Sequence, residues 1–441
     1  MQLLFRTRLA LTPLTLAALI VLIAAGLHAA EASRPVQPSR DNQAFLQARP
    51  NDWPWWRGPT LDGKSPDADP PLNWTEQKNI LWRTPLTGRG HASPVVYGDH
   101  IYLANADEVK KLLVLECFAR ADGRRLWTKV IHQGELMHRH TKNSHASATP
   151  ACDGRRLYLV FITGDALWVT ATDLAGNLLW QKEAGKFVSQ HGYGSSPVLY
   201  GDMVIVAADN AGPGYLVALR RDTGDVVWRT PRSDSTSYST PIVAQVAGRP
   251  QLLLSGIGQI SSYDPATGER LWFAKGPTDV TACTMTHDND LVFVTGGFPG
   301  KEIQAIRADG SGDVSETHVV WRTKTGVSYV PSPLVDRGLL YIVNDQGIAT
   351  CFEATTGKVH WRKRLGGNFT SSPVLAAGKI YVSNEEGTTL VLRAGTEFEQ
   401  LAENKLPDGQ FATPAIIGNR IYVRGTEFLY CVGGDGEMAR R

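Results

Sequence analysis

The chain has 441 residues, of which 42% are hydrophobic and 20% charged, as expected for a globular protein. Its 45 basic and 43 acidic residues leave a formal net charge of +2. This balance argues against a nucleic-acid partner, which usually requires a basic surface or a basic run.

The first residues have the pattern of an export signal. Arg6 and Arg8 precede an apolar stretch from Leu9 to Leu27, and Ala30-Glu31-Ala32 supplies small residues around a cleavage point. We predict a signal peptide over residues 1–32, with an uncleaved anchor that associates with the membrane as the alternative. In either case we expect the protein to be exported to the periplasm or cell envelope.

Between the signal and the repeats we predict two segments. A linker covers residues 33–52, and a tryptophan-rich segment over residues 53–79 is expected to pack on the domain that follows. A short tail over residues 435–441 ends the chain.

A Ser/Thr-Pro pair recurs along the chain and marks the start of each unit. An alternating apolar run follows it, then turn residues and a second apolar run, which is typical of a β-hairpin with Pro confined to the strand start. An eighth, imperfect copy stands at Cys283-Thr284. The complete copies are Ser93-Pro94, Thr149-Pro150, Ser196-Pro197, Thr240-Pro241, Ser332-Pro333, Ser372-Pro373 and Thr413-Pro414.

A Gly turn with a Trp four residues later is the second recurring mark. The Gly permits the positive φ of a tight turn, and the Trp is interpreted as an apolar wedge between neighbouring units. Trp321 follows an insertion over Ser311 to His318, and Leu401 stands where an eighth Trp is expected. The complete pairs are Gly123 with Trp127, Gly176 with Trp180, Gly224 with Trp228, Gly268 with Trp272, and Gly357 with Trp361.

Eight units of four short strands predict an all-β fold, an eight-bladed β-propeller with four-stranded antiparallel blades over residues 80–434. Trp82 belongs to a strand with no three strands before it, whereas Phe411 to Val432 supplies three strands without a fourth. We predict that the N-terminal and C-terminal strands pair and close the ring, because closure removes open edges. A linear β-solenoid is the structural alternative.

The five cysteines give no clear disulfide framework, since their number is odd. Cys117, Cys351 and Cys431 occupy the same place in different repeats. We predict that they are small buried residues rather than disulfide partners.

The unit from Ser332-Pro333-Leu334-Val335 to His360-Trp361 resembles the pyrroloquinoline-quinone-type propeller repeat. The resemblance covers about residues 80–432. In that family the repeat is found in quinoprotein alcohol and glucose dehydrogenases and in a non-catalytic lipoprotein of β-barrel assembly, so it implies a fold more than a function. The segment from Trp53 to Pro59 also resembles the start of envelope-associated repeat proteins common in planctomycetes.

The resemblance allows the dehydrogenase function to be compared residue by residue. Many of the family's enzymes hold the quinone with a ring of two adjacent, disulfide-bonded Cys and a Ca²⁺ bound by Glu, Asn and usually Asp. No two Cys are adjacent in this chain, and no segment matches that ligand set. We therefore predict no cofactor, with pyrroloquinoline quinone and Ca²⁺ as the alternative.

The leading functional hypothesis is a monomeric, non-catalytic binding or scaffold propeller of the cell envelope. Its partner would be a protein, a polymer or a small ligand. A quinone-dependent alcohol or sugar dehydrogenase is the second hypothesis. A glycan-binding propeller is the third, and it rests on Trp53, Trp55, Trp56 and Trp74 being exposed.

In a propeller the loop before each innermost strand opens onto the central channel, so its residues are candidate ligand contacts. We expect His91, His145, His191, Tyr238 and Tyr329 to face a common opening, with a solvated rim as the alternative. The full candidate set is Arg89, His91, His140, Asn143, His145, His191, Tyr193, Tyr238, Tyr329, Asn368 and Phe411.

Two further clusters could carry chemistry. His138 and His140 have chelating spacing on an extended strand, with His91 or His191 as a third ligand, but neighbouring Arg and Lys disfavour a cation and we predict no metal. Carboxylates follow the second strands, and we interpret them as turn residues rather than an acid–base pair such as Glu385-Glu386. They are Asp107, Glu108, Asp165, Asp209, Asp345, Glu385, Glu386 and Glu427.

Overall fold

The structure is a computed structural model that describes residues 45–434. All the secondary-structure elements in that range are β-strands. The predicted signal peptide and the tail over residues 435–441 lie outside the described residues, as does most of the predicted linker. Within the described range, no helix has the length and apolarity needed to cross a membrane.

Eight sheets follow one another along the chain, and each is one blade of a β-propeller. Two strands precede the first complete blade: β1 (Lys64–Ser65) and β2 (Ile80–Pro85). Blade 1 contains β3 (Val95–Tyr97), β4 (His100–Asp107), β5 (Leu112–Ala119) and β6 (Arg125–Gln133). Blade 2 contains β7 (Ala151–Cys152), β8 (Arg156–Thr163), β9 (Ala166–Asp173) and β10 (Leu178–Lys186). Blade 3 contains β11 (Val198–Tyr200), β12 (Met203–Ala208), β13 (Tyr215–Arg220) and β14 (Val226–Pro231).

The remaining blades continue in the same order. Blade 4 contains β15 (Ile242–Val246), β16 (Arg249–Gly256), β17 (Gln259–Tyr263) and β18 (Arg270–Lys275). Blade 5 contains β19 (Thr286–Asp288), β20 (Leu291–Gly296), β21 (Glu302–Arg307) and, after the short β22 (Gly312–Asp313), β23 (Val319–Thr323). Blade 6 contains β24 (Leu334–Asp336), β25 (Leu339–Val343), β26 (Ile348–Glu353) and β27 (Val359–Arg364). Blade 7 contains β28 (Val374–Ala376), β29 (Lys379–Ser383), β30 (Thr388–Arg393) and β31 (Gln400–Lys405), and blade 8 contains β32 (Ala415–Ile417), β33 (Arg420–Arg424) and β34 (Phe428–Gly433).

Blade 8 takes its outermost strand from the N-terminal side of the chain. β2 pairs antiparallel with β34, with Trp82 opposite Cys431 and Thr84 opposite Leu429. The sheet order β2-β34-β33-β32 confirms the predicted closure of the ring by the two ends of the chain. The insertion before Trp321 adds β22, which pairs in parallel with β18 of the preceding blade.

Strands inside a blade are apolar on both faces because each blade is covered by a neighbour on either side. All six residues of β12 are buried, whereas β14, an outermost strand, buries only Trp228. The five cysteines are buried and free, which confirms that they pack as small residues and not as disulfides.

The recurring Trp lies between neighbouring blades, as the sequence predicts. Trp82 of blade 8 donates through Nε1 to the carbonyl of Arg120 in blade 1 at 3.3 Å, and Trp180 of blade 2 does the same to Arg221 in blade 3 at 3.0 Å. The Gly of the next blade packs against the indole ring of this Trp. A Cβ added at Gly123, for example, would lie 2.3 Å from Trp82 Cε3. The Gly turn and the Trp are therefore two halves of one contact between blades.

The missing eighth Trp is supplied from elsewhere in the chain. Tyr381 in blade 7 stacks with Trp74, with ring centroids 6.4 Å apart and planes at 15°. The backbone N–H of Trp74 donates to Asn404 Oδ1 at 2.8 Å, and Asn404 Nδ2 donates to the carbonyl of Leu72 at 3.1 Å. The segment before β2 thus compensates for Leu401.

Replacement of Gly123 by Ala is expected to lower the free energy of unfolding by about 3 kcal/mol, from a positive-φ penalty and an overpacked contact with Trp82. Gly164→Ala is the matched control, because Gly164 also has positive φ but a Cβ there meets no atom within 4 Å. The control should lose only about 1 kcal/mol. Urea unfolding of the two variants measures the difference, and equal losses would show that backbone strain alone explains the Gly.

Candidate functional site

The Ser/Thr of the repeated Ser/Thr-Pro pair links one blade to the next. In blades 6, 7 and 8, the N–H of Ser332 donates to Ser372 Oγ, and the N–H of Ser372 donates to Thr413 Oγ1, both at 3.0 Å. The same contact joins Ser93 to Thr149, Thr149 to Ser196, Ser196 to Thr240, and Thr284 to Ser332, at 2.9 to 3.0 Å. In the imperfect copy the Ser/Thr place is therefore taken by Thr284 and not by Cys283, one residue later than the sequence predicts. The Ser/Thr residues joined in this way form a ring of hydroxyl groups, the hydroxyl ring, around the channel.

Residues 53–65 close one end of the channel, and we call them the N-terminal plug. Trp53 exchanges two backbone hydrogen bonds with Val96 in blade 1, at 2.8 and 2.9 Å, and the carbonyl of Pro54 accepts from Cys152 in blade 2. The plug also reaches blades 5, 6, 7 and 8 through contacts of Trp56 with Thr284, Arg57 with Pro333, Gly63 with Leu375, and Ser65 with Ile416. It therefore spans the ring of innermost strands.

Arg57 and Trp56 are adjacent in the plug but have different surroundings. Arg57 is fully buried, and its Nη2 donates to the carbonyls of Asp62 and Pro333 at 2.7 and 2.6 Å. Burial lowers the pKa of Arg57 to about 10. Trp56 is half-buried, and its Nε1 donates to Thr284 Oγ1 at 2.8 Å, which fixes the indole beside the hydroxyl ring.

A cavity of about 930 Å³ lies between this plug and the loops that precede the innermost strands. Trp56 and the buried hydroxyl ring, from Ser196 round to Thr413, form its floor. Exposed side chains such as His140, Lys142 and Phe298 surround its mouth. The wall between them includes His91, Asn143, Gln190, His191, Tyr238, Lys301, Tyr329, Asp345, Gln346, Phe369, Thr370, Glu385 and Phe411.

Seven of the eleven candidate residues from the sequence line this cavity: His91, His140, Asn143, His191, Tyr238, Tyr329 and Phe411. The other four lie outside its lining. Arg89 donates to the carbonyl of Thr141, His145 lies 3.7 Å from Glu108, and Tyr193 is buried with its hydroxyl on the carbonyl of Ala207. Asn368 is exposed, and the neighbouring Phe369 takes the place in the wall.

The expected exposure of the N-terminal tryptophans is wrong for three of them. Trp53, Trp55 and Trp74 are buried, with exposed fractions of 1%, 6% and 2%. They pack into the clusters between blades because the segment that carries them adheres to the propeller. Of the four, Trp56 is the one that lines the cavity.

Two carboxylates in the wall, Asp345 and Glu385, belong to the loops that follow the second strand of their blades. These loops lie at the same end of the blade as the loops that precede the first strand. Both oxygens of Asp345 accept backbone N–H groups, from Tyr329 at 2.7 Å and Val330 at 3.0 Å. Burial raises the pKa of Asp345, and these bonds oppose the shift. Glu385 accepts from Lys142 Nζ at 3.0 Å and from Thr370 Oγ1 at 2.7 Å.

The aromatic and imidazole groups of the wall are held by one another. His91 stacks on Phe411, with ring centroids 4.7 Å apart and planes at 7°. Tyr238 OH lies 2.9 Å from His191 Nδ1, and His191 packs beside His140 at 5.8 Å between ring centroids. Across residues 45–434, no group of three or more His, Cys, Asp or Glu is arranged to hold a metal ion.

Acid is expected to destabilise the protein through His91. Burial and the positive charges of Arg424, Arg89 and Arg139 lower the pKa of His91 from 6.5 to about 3. In the unfolded chain His91 takes up a proton near pH 6.5, whereas in the folded chain it does so only near pH 3. The free energy of unfolding therefore decreases as the pH falls from about 6.5 to about 3.

His91→Phe keeps the stack on Phe411 and removes the titrating group. Urea unfolding at pH 7 and pH 4 should show a smaller loss of stability in this variant than in the native protein. His138→Phe, at an exposed position, is the control and should keep the native acid sensitivity. An unchanged acid response in His91→Phe would assign it to other groups.

Comparison with known proteins identifies the family of this fold. The model of the family described as outer membrane protein assembly factor BamB matches residues 73–186, 113–297 and 301–427. The chain belongs to this family of quinone-type repeat propellers. No curated protein matches the sequence significantly.

The solved structures that resemble this chain share little sequence with it. BamB from Moraxella catarrhalis shares 15% identity with a TM-score of 0.56, over 81% of this chain and 99% of that one. The quinohemoprotein alcohol dehydrogenase from Comamonas testosteroni shares 13% with a TM-score of 0.63, over 94% and 85%. A europium-containing methanol dehydrogenase shares 13% with a TM-score of 0.60, over 86% and 90%. Such similarity establishes the propeller fold that the binding and catalytic members share.

Proposed function

We propose that this BamB-type protein is a non-catalytic recognition propeller of the cell envelope, which binds its ligand in the central cavity. The observation that carries the proposal is the shape of that cavity, which is closed by the N-terminal plug and open at the rim. Its volume of about 930 Å³ suits a small-molecule site or the end of a larger ligand.

The envelope location and the scaffold role draw on the family. The matching family is described as outer membrane protein assembly factor BamB, and the predicted signal peptide would export this chain. The pairing of β2 with β34 gives every blade its four strands within one chain, which supports a monomer that meets its partners through the rim.

The competing function is quinone-dependent dehydrogenation, which is suggested by the structural similarity to two dehydrogenases. The cavity residues do not fit a calcium-bound quinone. The oxygens of Asp345 accept backbone N–H groups, and Glu385 is paired with Lys142, so each carboxylate already has partners. The cysteines are single and buried, and none lines the cavity wall that the structure describes.

A blocked cavity tests the proposal. Gly194 lines the cavity, its φ is not positive, and a Cβ there meets no atom within 4 Å, so Gly194→Trp places an indole in the cavity without backbone strain. Gly395 also has free space for a Cβ but lies in the turn between β30 and β31, which makes Gly395→Trp the matched control.

A thermal-shift screen of envelope saccharides, peptides, lipid headgroups and nucleotides should give at least one ligand that stabilises the native protein and the control. Gly194→Trp should keep the fold and lose that shift. The proposal is contradicted if every stabilising ligand also stabilises Gly194→Trp equally, or if the screen gives none.

A further inference from the structure

The cavity lining contains four Lys, Asp and Glu side chains, of which Lys142, Glu385 and Asp345 have partners and Lys301 is exposed. The ammonium of Lys142 lies 3.0 Å from both oxygens of Glu385, and Thr370 Oγ1 donates to the same carboxylate. Asp345 is held by two backbone N–H groups. A strongly charged ligand beside Lys142, Glu385 and Asp345 would have to break these contacts, so this part of the cavity favours a neutral ligand.

The floor offers hydroxyl groups that can still donate. Ser372 Oγ and Thr413 Oγ1 each accept one backbone N–H, and Ser332 Oγ accepts the N–H of Thr284. A hydroxyl that accepts one hydrogen bond retains its own hydrogen for another acceptor. Because these groups are buried and line the cavity, an oxygen-rich ligand would satisfy them.

Beside the hydroxyl ring, Trp56 gives the floor a fixed aromatic surface. Its only polar side-chain atom, Nε1, is already bonded to Thr284, so the indole offers a ligand its aromatic face. The rest of the plug holds the indole ring of Trp56 in place. This lowers the entropy cost of packing a ligand against the indole. Phe411 and Tyr329, which are half-buried, add aromatic surface to the wall.

The upper wall adds planar polar side chains and phenol groups. Burial raises the pKa of Tyr329 to about 12 and also raises that of Tyr238, so both hydroxyls stay protonated and can donate. Gln190 and Gln346, at exposed positions in the lining, each bring a donor and an acceptor. The cavity thus pairs aromatic faces with hydrogen-bonding groups of both kinds.

We infer that the ligand is the end of a neutral carbohydrate chain, a deepening that rests on the proposed function. A sugar ring has apolar C–H faces and a rim of hydroxyls, which match an aromatic surface bordered by hydrogen-bonding groups. Because the N-terminal plug closes the channel, a polymer cannot thread through it and must insert a chain end. The bound unit is therefore terminal, with the following units leaving through the mouth.

Calorimetric titration with neutral oligosaccharides tests this inference. The probes are glucose oligomers with α-1,4 and β-1,4 links and N-acetylglucosamine oligomers, each from one to six units. We expect saturable binding to at least one series, with affinity that rises over the first units and then levels off once the cavity is filled.

Variants of the floor separate stacking from mere volume. Trp56→Leu, which removes the aromatic face, should weaken binding about tenfold, while Trp56→Phe should stay within about threefold of the native affinity. Gly194→Trp should abolish binding and Gly395→Trp should not. Circular dichroism confirms that each variant is folded.

The outcomes distinguish this inference from the proposed function. Binding that continues to grow with every added unit, or that survives in Gly194→Trp, overturns insertion of a chain end. If no saccharide binds but a peptide, lipid headgroup or nucleotide stabilises the native protein and not Gly194→Trp, the carbohydrate assignment fails while the recognition function stands.

Discussion

Replacing Trp82 by Ala is expected to lower the free energy of unfolding by about 3–5 kcal/mol, the usual cost of removing a large buried aromatic side chain. Trp82 is 9% exposed, lies opposite Cys431 in the strand that closes the ring, and packs on Gly123 of the next blade. Its loss therefore loosens blade 8 and its interface with blade 1 together. Urea unfolding followed by circular dichroism measures the effect.

The neighbouring residue provides the control. Leu81 belongs to the same strand but is 44% exposed, so Leu81→Ala should change stability by about 1 kcal/mol or less. Deleting residues 78–86 should cost more than Trp82→Ala, because it also reopens an edge of blade 8. Native-like unfolding of that deletion would refute closure by β2.

Trp53→Ala should have a comparable effect through the plug, a loss of about 3–5 kcal/mol. The Trp53 side chain is 1% exposed, and its ring lies so close to Gly58 that a Cβ there would be 2.7 Å away. Its backbone also pairs with Val96. The void left by the lost indole should loosen the contact between the plug and blade 1. Ligand binding in the central cavity should then weaken indirectly.

Trp56→Leu separates the two roles of the plug. Trp56 is half-buried, so the free energy of unfolding of this variant should lie within about 1 kcal/mol of the native value. Its affinity for the ligand should nevertheless be lower. Equal destabilisation by Trp53→Ala and Trp56→Leu would mean that the plug is held as much by its cavity-facing side chain as by its buried one. That result would contradict the division of roles.

The repeat marks predict the fold because each reports a contact that every blade must make. The Gly and Trp meet across the blade interface, and six of the Ser/Thr hydroxyls before a Pro accept an N–H from the preceding blade. Such contacts have fixed positions along the chain. They appear as periodic residues, so blade number and closure follow from the sequence alone.

The cavity is less predictable because its key parts are not periodic. The place of Trp56 depends on a path of residues 53–65 across six blades, which no local pattern encodes. Asp345 and Glu385 look like turn residues, and only the return of the second strands to the rim brings them into the wall. The Ser/Thr-Pro repeat is a signal that could have located the floor.

Calorimetric titration with pyrroloquinoline quinone, with and without Ca²⁺, tests most directly whether this propeller recognises a ligand or oxidises a substrate. The carboxylates of the cavity are engaged by Lys142 and by backbone N–H groups, so we predict no saturable heat and no reduction of an artificial electron acceptor on addition of alcohols or sugars. Stoichiometric, Ca²⁺-dependent binding followed by turnover would contradict the recognition function and establish a dehydrogenase.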